Sequence, residues 1–335
     1  MDLPQPFNRL KFTLQISLLI ILTIFSGLVS LSIGSVDISI REIINTLFTN
    51  NSSEQLNKII FEVRLPRILF AIIIGGGLSI TGAVFQSILM NPLAEPYILG
   101  ISSGGTFGAV LSLMIGLPFL GTQTLAFIGA FLVMLLVFFL GRRFGDLEPN
   151  ILILSGVMIG AFFSALILMM IILLNESLRT AVFWMVGSLS FIRIEYLPLV
   201  TFIVICVSVF LVINSYKYNI LTLGTETAIS LGIKYSSLKT STYFLASILI
   251  GSVVSVSGII GFVGLLIPHI CRLIWGMDNR IIIPFSFFVG AIYLTLSDTF
   301  ARTIISPSEV PVGAVTALIG APFFIYLLRT RFTMK

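Results

Sequence analysis

The sequence predicts an all-α membrane protein of about ten transmembrane helices. Three observations carry that expectation. Hydrophobic residues make up 57% of the 335-residue chain and charged ones 10%, with a mean hydropathy of +1.12. Globular chains run near ~45–50% and ~25%, so most of this protein's surroundings are lipid. The apolar residues also fall in long unbroken runs, which favours helices over the short alternating strands of a barrel. Those runs number ten, and the chain length accommodates ten segments of ~20 residues with short connections.

The first run, 12–33, follows Arg9 and Lys11. It is too long for the apolar core of a signal peptide and no small-residue cleavage pattern follows, so it reads as an uncleaved first helix. The next runs are 68–89, 97–117, 122–140, 151–174 and 197–213. Pro66, inside the stretch VRLPR, is placed to open the second, and Gly75, Gly76 and Gly77 there give up helix propensity for close contact. In the third, Gly100, Gly104 and Gly108 of GISSGGTFG recur every fourth residue, a small-residue face that lets another helix approach. Val182–Ile192, with Trp184, reads as a short interfacial helix. The last four runs are 242–262, 266–277, 281–301 and 313–328. The eighth carries Pro268, His269 and Arg272, so it is either broken or sheltered inside the bundle. No composition shift divides the chain, which reads as a single transmembrane domain over 1–335.

A weak internal echo joins Ser79–Val84 to Ser255–Ile260, each followed at the same distance by a proline, Pro92 and Pro268. It suggests two four-helix units related as inverted repeats. With the amino terminus inside, twelve of the 19 lysines and arginines lie at inner span ends and seven at outer ones. That bias puts both termini and the polar stretch Tyr216–Lys239 in the cytoplasm.

That stretch, YKYNILTLGTETAISLGIKYSSLK, is too polar to span. Thr225 is placed to cap a short helix, Glu226 to sit at its positive end and Gly232 to close it, with Ser236 and Ser237 starting another turn. Lys217, Lys234 and Lys239 surround the unit with positive charge. It is either a solvated connector or a docking knob for a cytoplasmic partner.

Catalytic chemistry is hard to build here. There is one histidine, no GxxxxGK[ST] phosphate loop, and no cysteine or histidine set at metal spacing, so no cofactor or metal is expected. Cys206 and Cys271 read as packing residues, and the scattered basic residues form no nucleic-acid patch. Asp298 is the clearest acid at membrane depth and stands four residues before Arg302, in reach of a helical ion pair; Glu95 lies near an inner span end. Arg64, Arg67 and Arg302 run against the positive-inside tendency, either anchoring at headgroups or offering bidentate contacts to carboxylates of a docking protein.

Several of these stretches, in this order, resemble the FecCD family of permeases from bacterial ATP-driven importers of ferric siderophores, haem and vitamin B12. The likeness covers about residues 60–328 and rests on RLPR (64–67), GAVFQSILMNPLAEPYILG (82–100), LGTETAISLG (223–232), FVGLLIPHICR (262–272) and PVGAVTALIGAP (311–322). It implies a fold like a type II ABC importer permease, with ten helices per subunit and two permease subunits, identical or related, around a central pathway. It also implies separate cytoplasmic ATP-binding-cassette ATPase subunits, an extracytoplasmic substrate-binding lipoprotein, a bacterial cytoplasmic-membrane location and a ferric siderophore as cargo. Gly224, Thr225, Glu226, Ala228, Leu231 and Gly232 match the family's ATPase-contacting loop. Arg64, Arg67 and Arg302 match arginines that receive acidic residues of the binding protein, and Gln86, Asn91 and Pro92 match a region near the pathway. Haem or cobalamin import, or a gradient-driven secondary transporter, are the alternative readings.

Overall fold

The computed structural model describes residues 8–34, 38–48, 53–143, 146–173, 178–190, 192–306 and 308–332. Asn8 caps α1 (Arg9–Ser32), its side chain accepting from the Lys11 N–H at 3.2 Å. The amphipathic α2 (Ile40–Phe48) opens on a reciprocal cap, Ser39 N–H to the Glu42 carboxylate at 2.9 Å and Glu42 N–H to Ser39 Oγ at 3.3 Å. That Ser39 contact holds the exposed Glu42 carboxyl below its ordinary range.

Pro66 does not open the second long helix. The helical run begins at α3 (Glu54–Asn57) and passes through a π-helical turn (Lys58–Arg64) into α4 (Leu65–Ile88), giving 35 continuous residues. The wide turn lies just ahead of Pro66, where a proline lacks its N–H and crowds the preceding carbonyl. A 3-10 turn (Pro96–Leu99) then leads to α5 (Ile101–Met114), followed by α6 (Phe119–Gly141). The short ladder of β1 (Arg142–Arg143) and β2 (Asp146–Leu147) turns the chain into α7 (Pro149–Ile172). Next come α8 (Leu178–Val186), a 3-10 turn (Ile194–Tyr196) and α9 (Leu197–Ile213). After α10 (Ser215–Leu221) and α11 (Thr225–Ser230), the chain finishes with α12 (Tyr235–Ser257), α13 (Val263–Trp275), α14 (Asn279–Thr303) and α15 (Val312–Phe332).

Each of the ten apolar windows holds a helix. Seven helical runs are long and apolar enough to cross a membrane, while Ile101–Met114, Val263–Trp275 and Val312–Tyr326 are shorter. Burial sorts them: α4, α12 and α14 carry most of the core, whereas α1, α7 and α9 turn rows of large apolar side chains outward, as lipid-facing helices do. Where α4 meets α14 the backbones nearly touch, because a side chain on Gly75 would strike the Gly290 carbonyl.

The echo between the two halves is not kept in local structure. Ser79–Val84 lies within α4, whereas α12 ends at Ser257 and Gly258 turns at φ +70°. Likewise Pro92 stands in a turn and Pro268 inside α13. Of the two cysteines, Cys271 is buried and Cys206 is exposed. We name the bundle's two ends for what they carry: the arginine end has Arg64, Arg67 and Arg302, and the knob end has α10, α11 and the start of α1.

Candidate functional site

At the arginine end the three guanidinium groups do not stand out from the surface as the sequence reading supposed. Arg64, Arg67 and Arg302 are 4%, 7% and 7% exposed. Desolvated charges need internal partners, and these have them. Arg67 gives Nε and Nη2 to Asp298 at 2.8–3.0 Å and Nη1 to Glu309 Oε2 at 2.8 Å. Asp298 lies 3.3 Å from Arg302 Nε as well, so the local pair expected from the sequence exists but is the lesser half of a bridge. Arg302 also donates to Ser30 Oγ at 2.8 Å, and Arg64 donates to the Leu31 carbonyl. The network thereby ties α1, α4 and α14 together.

Glu309 was missed in the sequence, though it is an acid in the connection just outside three unbalanced arginines. It is the network's half-exposed member and also accepts from Ser190 Oγ at 2.5 Å. Burial pushes its carboxyl up, but Arg67 and Ser190 outweigh that and hold it below the usual range.

At the knob end the polar stretch is helical almost throughout. Ser215, Tyr218 and Leu221 form the buried face of α10, and Tyr218 Oη meets Thr242 Oγ1 of α12 at 2.9 Å. Burial raises that phenol to about 12, so it stays neutral. Thr225 is not the cap of α11. Gly224 is, at φ +106°, with no side-chain bond, and Thr225 is the first helical residue. Glu226 does lie in the first turn. Gly232, at φ +78°, closes the helix in a Schellman motif: its N–H reaches the Ile229 carbonyl at 2.9 Å and that of Ile233 reaches Ala228 at 3.0 Å. Ala228 is the buried anchor, while Leu223, Ile229 and Leu231 are 60–65% exposed. Ser236 and Ser237 do not begin a separate turn; they belong to α12, which starts at Tyr235. Lys239 is likewise not surface charge, for its Nζ is buried against the Leu147 carbonyl at 3.1 Å and the Tyr235 ring at 4.5 Å.

Between the ends, two breaks face each other. Glu95, before the 3-10 turn, accepts from the Phe262 N–H at 2.6 Å, and the Tyr97 hydroxyl accepts from the Ile260 N–H at 3.3 Å. Phe262 itself sits at φ +67°, a conformation that costs a non-glycine residue free energy. Ser188 N–H bonds to the Ser257 carbonyl at 2.9 Å and Gly313 N–H to that of Gly187 at 3.1 Å, so the chain after α8 joins the same junction. Of the expected glycine face, Gly104 and Gly108 lie against the α6 backbone at Gly129 and Leu125. Gly100 is not in the helix; it turns at φ +73° ahead of α5, beside Gly156 of α7.

A bundle of long and half-length apolar helices, with an ion-paired end and an exposed helical knob at the other, defines a polytopic membrane protein whose inner breaks are held by polar contacts. The chain belongs to the FecCD transport family, which matches residues 21–330. It is 36% identical to the molybdate import system permease protein MolB of Haemophilus influenzae, over 96% of each chain. It is 38% identical to the Fe(3+)-citrate import system permease protein YfmD of Bacillus subtilis, over 94% of each. A solved metal-chelate type ABC transporter in an inward-facing conformation superimposes with a TM-score of 0.84 at 33% identity, covering 95% of this chain and 99% of that one.

Proposed function

We propose that this protein is the permease subunit of an ATP-binding-cassette importer that carries an iron–siderophore complex across the bacterial cytoplasmic membrane. Ten crossings form two inverted four-helix units, with the knob end and both termini in the cytoplasm. The pairing of a long helix, a break and a short helix in α4–α5 and again in α12–α13 supports that arrangement. The observation that carries the function is α11. Ile229 projects from this helix, with the exposed Leu223 and Leu231 at its two ends, and the unit is bounded by Gly224 and Gly232 and anchored on Ala228. Such a surface at an aqueous end calls for a protein to cover it, and the absence of any phosphate loop in the sequence assigns ATP to that protein.

In this reading a binding protein docks at the arginine end. Its carboxylate reaches Arg67 by taking the place of Glu309, the half-exposed ligand. Cargo enters a pathway between this subunit and a second permease, identical or related, and ATPase movement at α11 switches which end is open. The family membership and the metal-oxyanion and iron-chelate cargoes named for the relatives support an anionic metal complex; haem or cobalamin would travel by the same mechanism. A gradient-driven carrier fits less well. Asp298, the acid such a carrier would cycle, is clamped by Arg67 and Arg302.

Vesicles holding the permease, its ATPase and its binding protein should accumulate ferric siderophore only when ATP is inside the lumen on the ATPase side. Accumulation driven by an ion gradient without the ATPase would overturn the proposal.

A further inference from the structure

Between the last turn of α4, the middle of α13 and the first residue of α14 lies a cavity of about 340 Å³ at the knob end. Gln86, Ser87, His269, Arg272 and Asn279 supply its polar wall, and the exposed Met90 and Met277 stand at its rim. The charge in it is Arg272. This guanidinium is partly buried and donates to the Gln86 side-chain oxygen and to the Ala83 carbonyl, both neutral acceptors. Among the described residues no carboxylate pairs with it and none lines the cavity. Asp278, next along the chain to Asn279, is held by Arg280 at 2.6–3.1 Å and Asn219 at 2.7 Å. Ser87 already donates to the Asn279 side-chain oxygen Oδ1 at 3.1 Å, so the amide group of Asn279 contributes mainly donors.

A cation drawn out of water with only neutral acceptors is costly, and the cost is recovered when an anion joins it. The arginine end of this same chain shows the contrast, because each carboxylate there already has its arginine. We propose that the Arg272 cavity binds an anion presenting a carboxylate or phosphate group. The planar guanidinium fork suits both groups bidentately, and the donor-rich wall suits the remaining oxygens. The group can arrive on a small solute or on an acidic side chain of the ATPase. Only the second source rests on the transport reading.

The test uses the purified full-length permease at constant ionic strength, comparing sodium phosphate and citrate with chloride. Phosphate or citrate should raise the thermal midpoint and bind with a calorimetric signal. Arg272→Gln should weaken that binding by about tenfold or more, Arg272→Lys should restore part of it, and the rim variant Met277→Glu should abolish the response without lowering the midpoint. If neither anion binds but ATPase capture falls about tenfold in Arg272→Gln and recovers in Arg272→Lys, the group belongs to the ATPase and the proposal stands. Anion binding that Arg272→Gln leaves unchanged overturns it. So does absence of anion binding together with unaltered ATPase capture; if that capture is still lost on Leu231→Ser, the transport reading survives the failure.

Discussion

Arg67 and Asp298 are 231 positions apart and meet side-on, Nε at 2.9 and 3.0 Å from the two carboxylate oxygens and Nη2 at 2.8 Å from one of them. Both side chains are below 10% exposed, so the pair is fully committed to the fold. Arg67→Ala leaves Asp298 with a single, more distant arginine and should cost about 3–5 kcal/mol of stability. Replacing the pair together, Arg67→Met with Asp298→Leu, should cost much less. Thermal midpoints in detergent decide this; equal losses in both variants would show that the cost comes from losing the pair itself and not from stranding the Asp298 charge. The same burial makes charge reversal of Arg67 a poor probe of docking, because misfolding would mimic lost contact.

Glu309 gives the pH dependence a sign. Its folded carboxyl is held below the unfolded value of 4.5, so its contribution is complete above that value and fades as pH falls through the lowered one. Midpoints measured from neutral pH downward should drop below about pH 4.5, with a shallower drop in Glu309→Gln. Identical slopes would mean that Glu309 is not the group titrating.

Gly108 tests helix contact against helix propensity. Alanine gains about 1 kcal/mol in an exposed helix interior, yet a Cβ at Gly108 would collide with the Leu125 carbonyl of α6. Gly108→Ala should therefore be destabilising by roughly 1–2 kcal/mol, overpacking having outweighed propensity. Gly160→Ala, whose nearest foreign atom is 3.8 Å away, should be neutral or stabilising. The opposite ranking of the two would refute the close α5–α6 approach.

The knob separates folding from partner binding. Leu231→Ser removes exposed apolar surface and should reduce ATPase capture several-fold with the midpoint unmoved. Gly232→Val meets no neighbour but must hold φ +78°, so it should loosen the end of α11 at a cost of about 1–2 kcal/mol. Normal coupling of ATP hydrolysis to uptake in both variants would remove α11 from the transport cycle.

The windows of apolar residues located every long helix, because lipid exposure leaves its mark on local composition. Boundaries set by backbone chemistry were less visible. Asp298 and Arg302 could be paired from their spacing on one helix, but nothing in that spacing announces Arg67, which reaches Asp298 only once α4 packs on α14. Lys239 read as surface charge because its stretch is polar; its partner is a backbone carbonyl, which has no sequence signature. The glycine spacing foretold the contact at Gly104 and Gly108 but could not show that Gly100 leaves the helix. Phe262 in a left-handed turn had no residue-type cue at all.

The short helices α5 and α13 carry a further implication. With 14 and 13 residues they reach only about 20 Å, against a hydrocarbon slab of ~30 Å. In the ten-crossing arrangement proposed above, the backbone at 89–100, with its 3-10 turn, and at 258–262 makes up the shortfall, and its peptide groups tolerate protein or water as neighbours but never acyl chains. Glu95 and Tyr97 bring these two segments together, so two of the peptide N–H groups the breaks leave over are satisfied by protein side chains from the opposite segment.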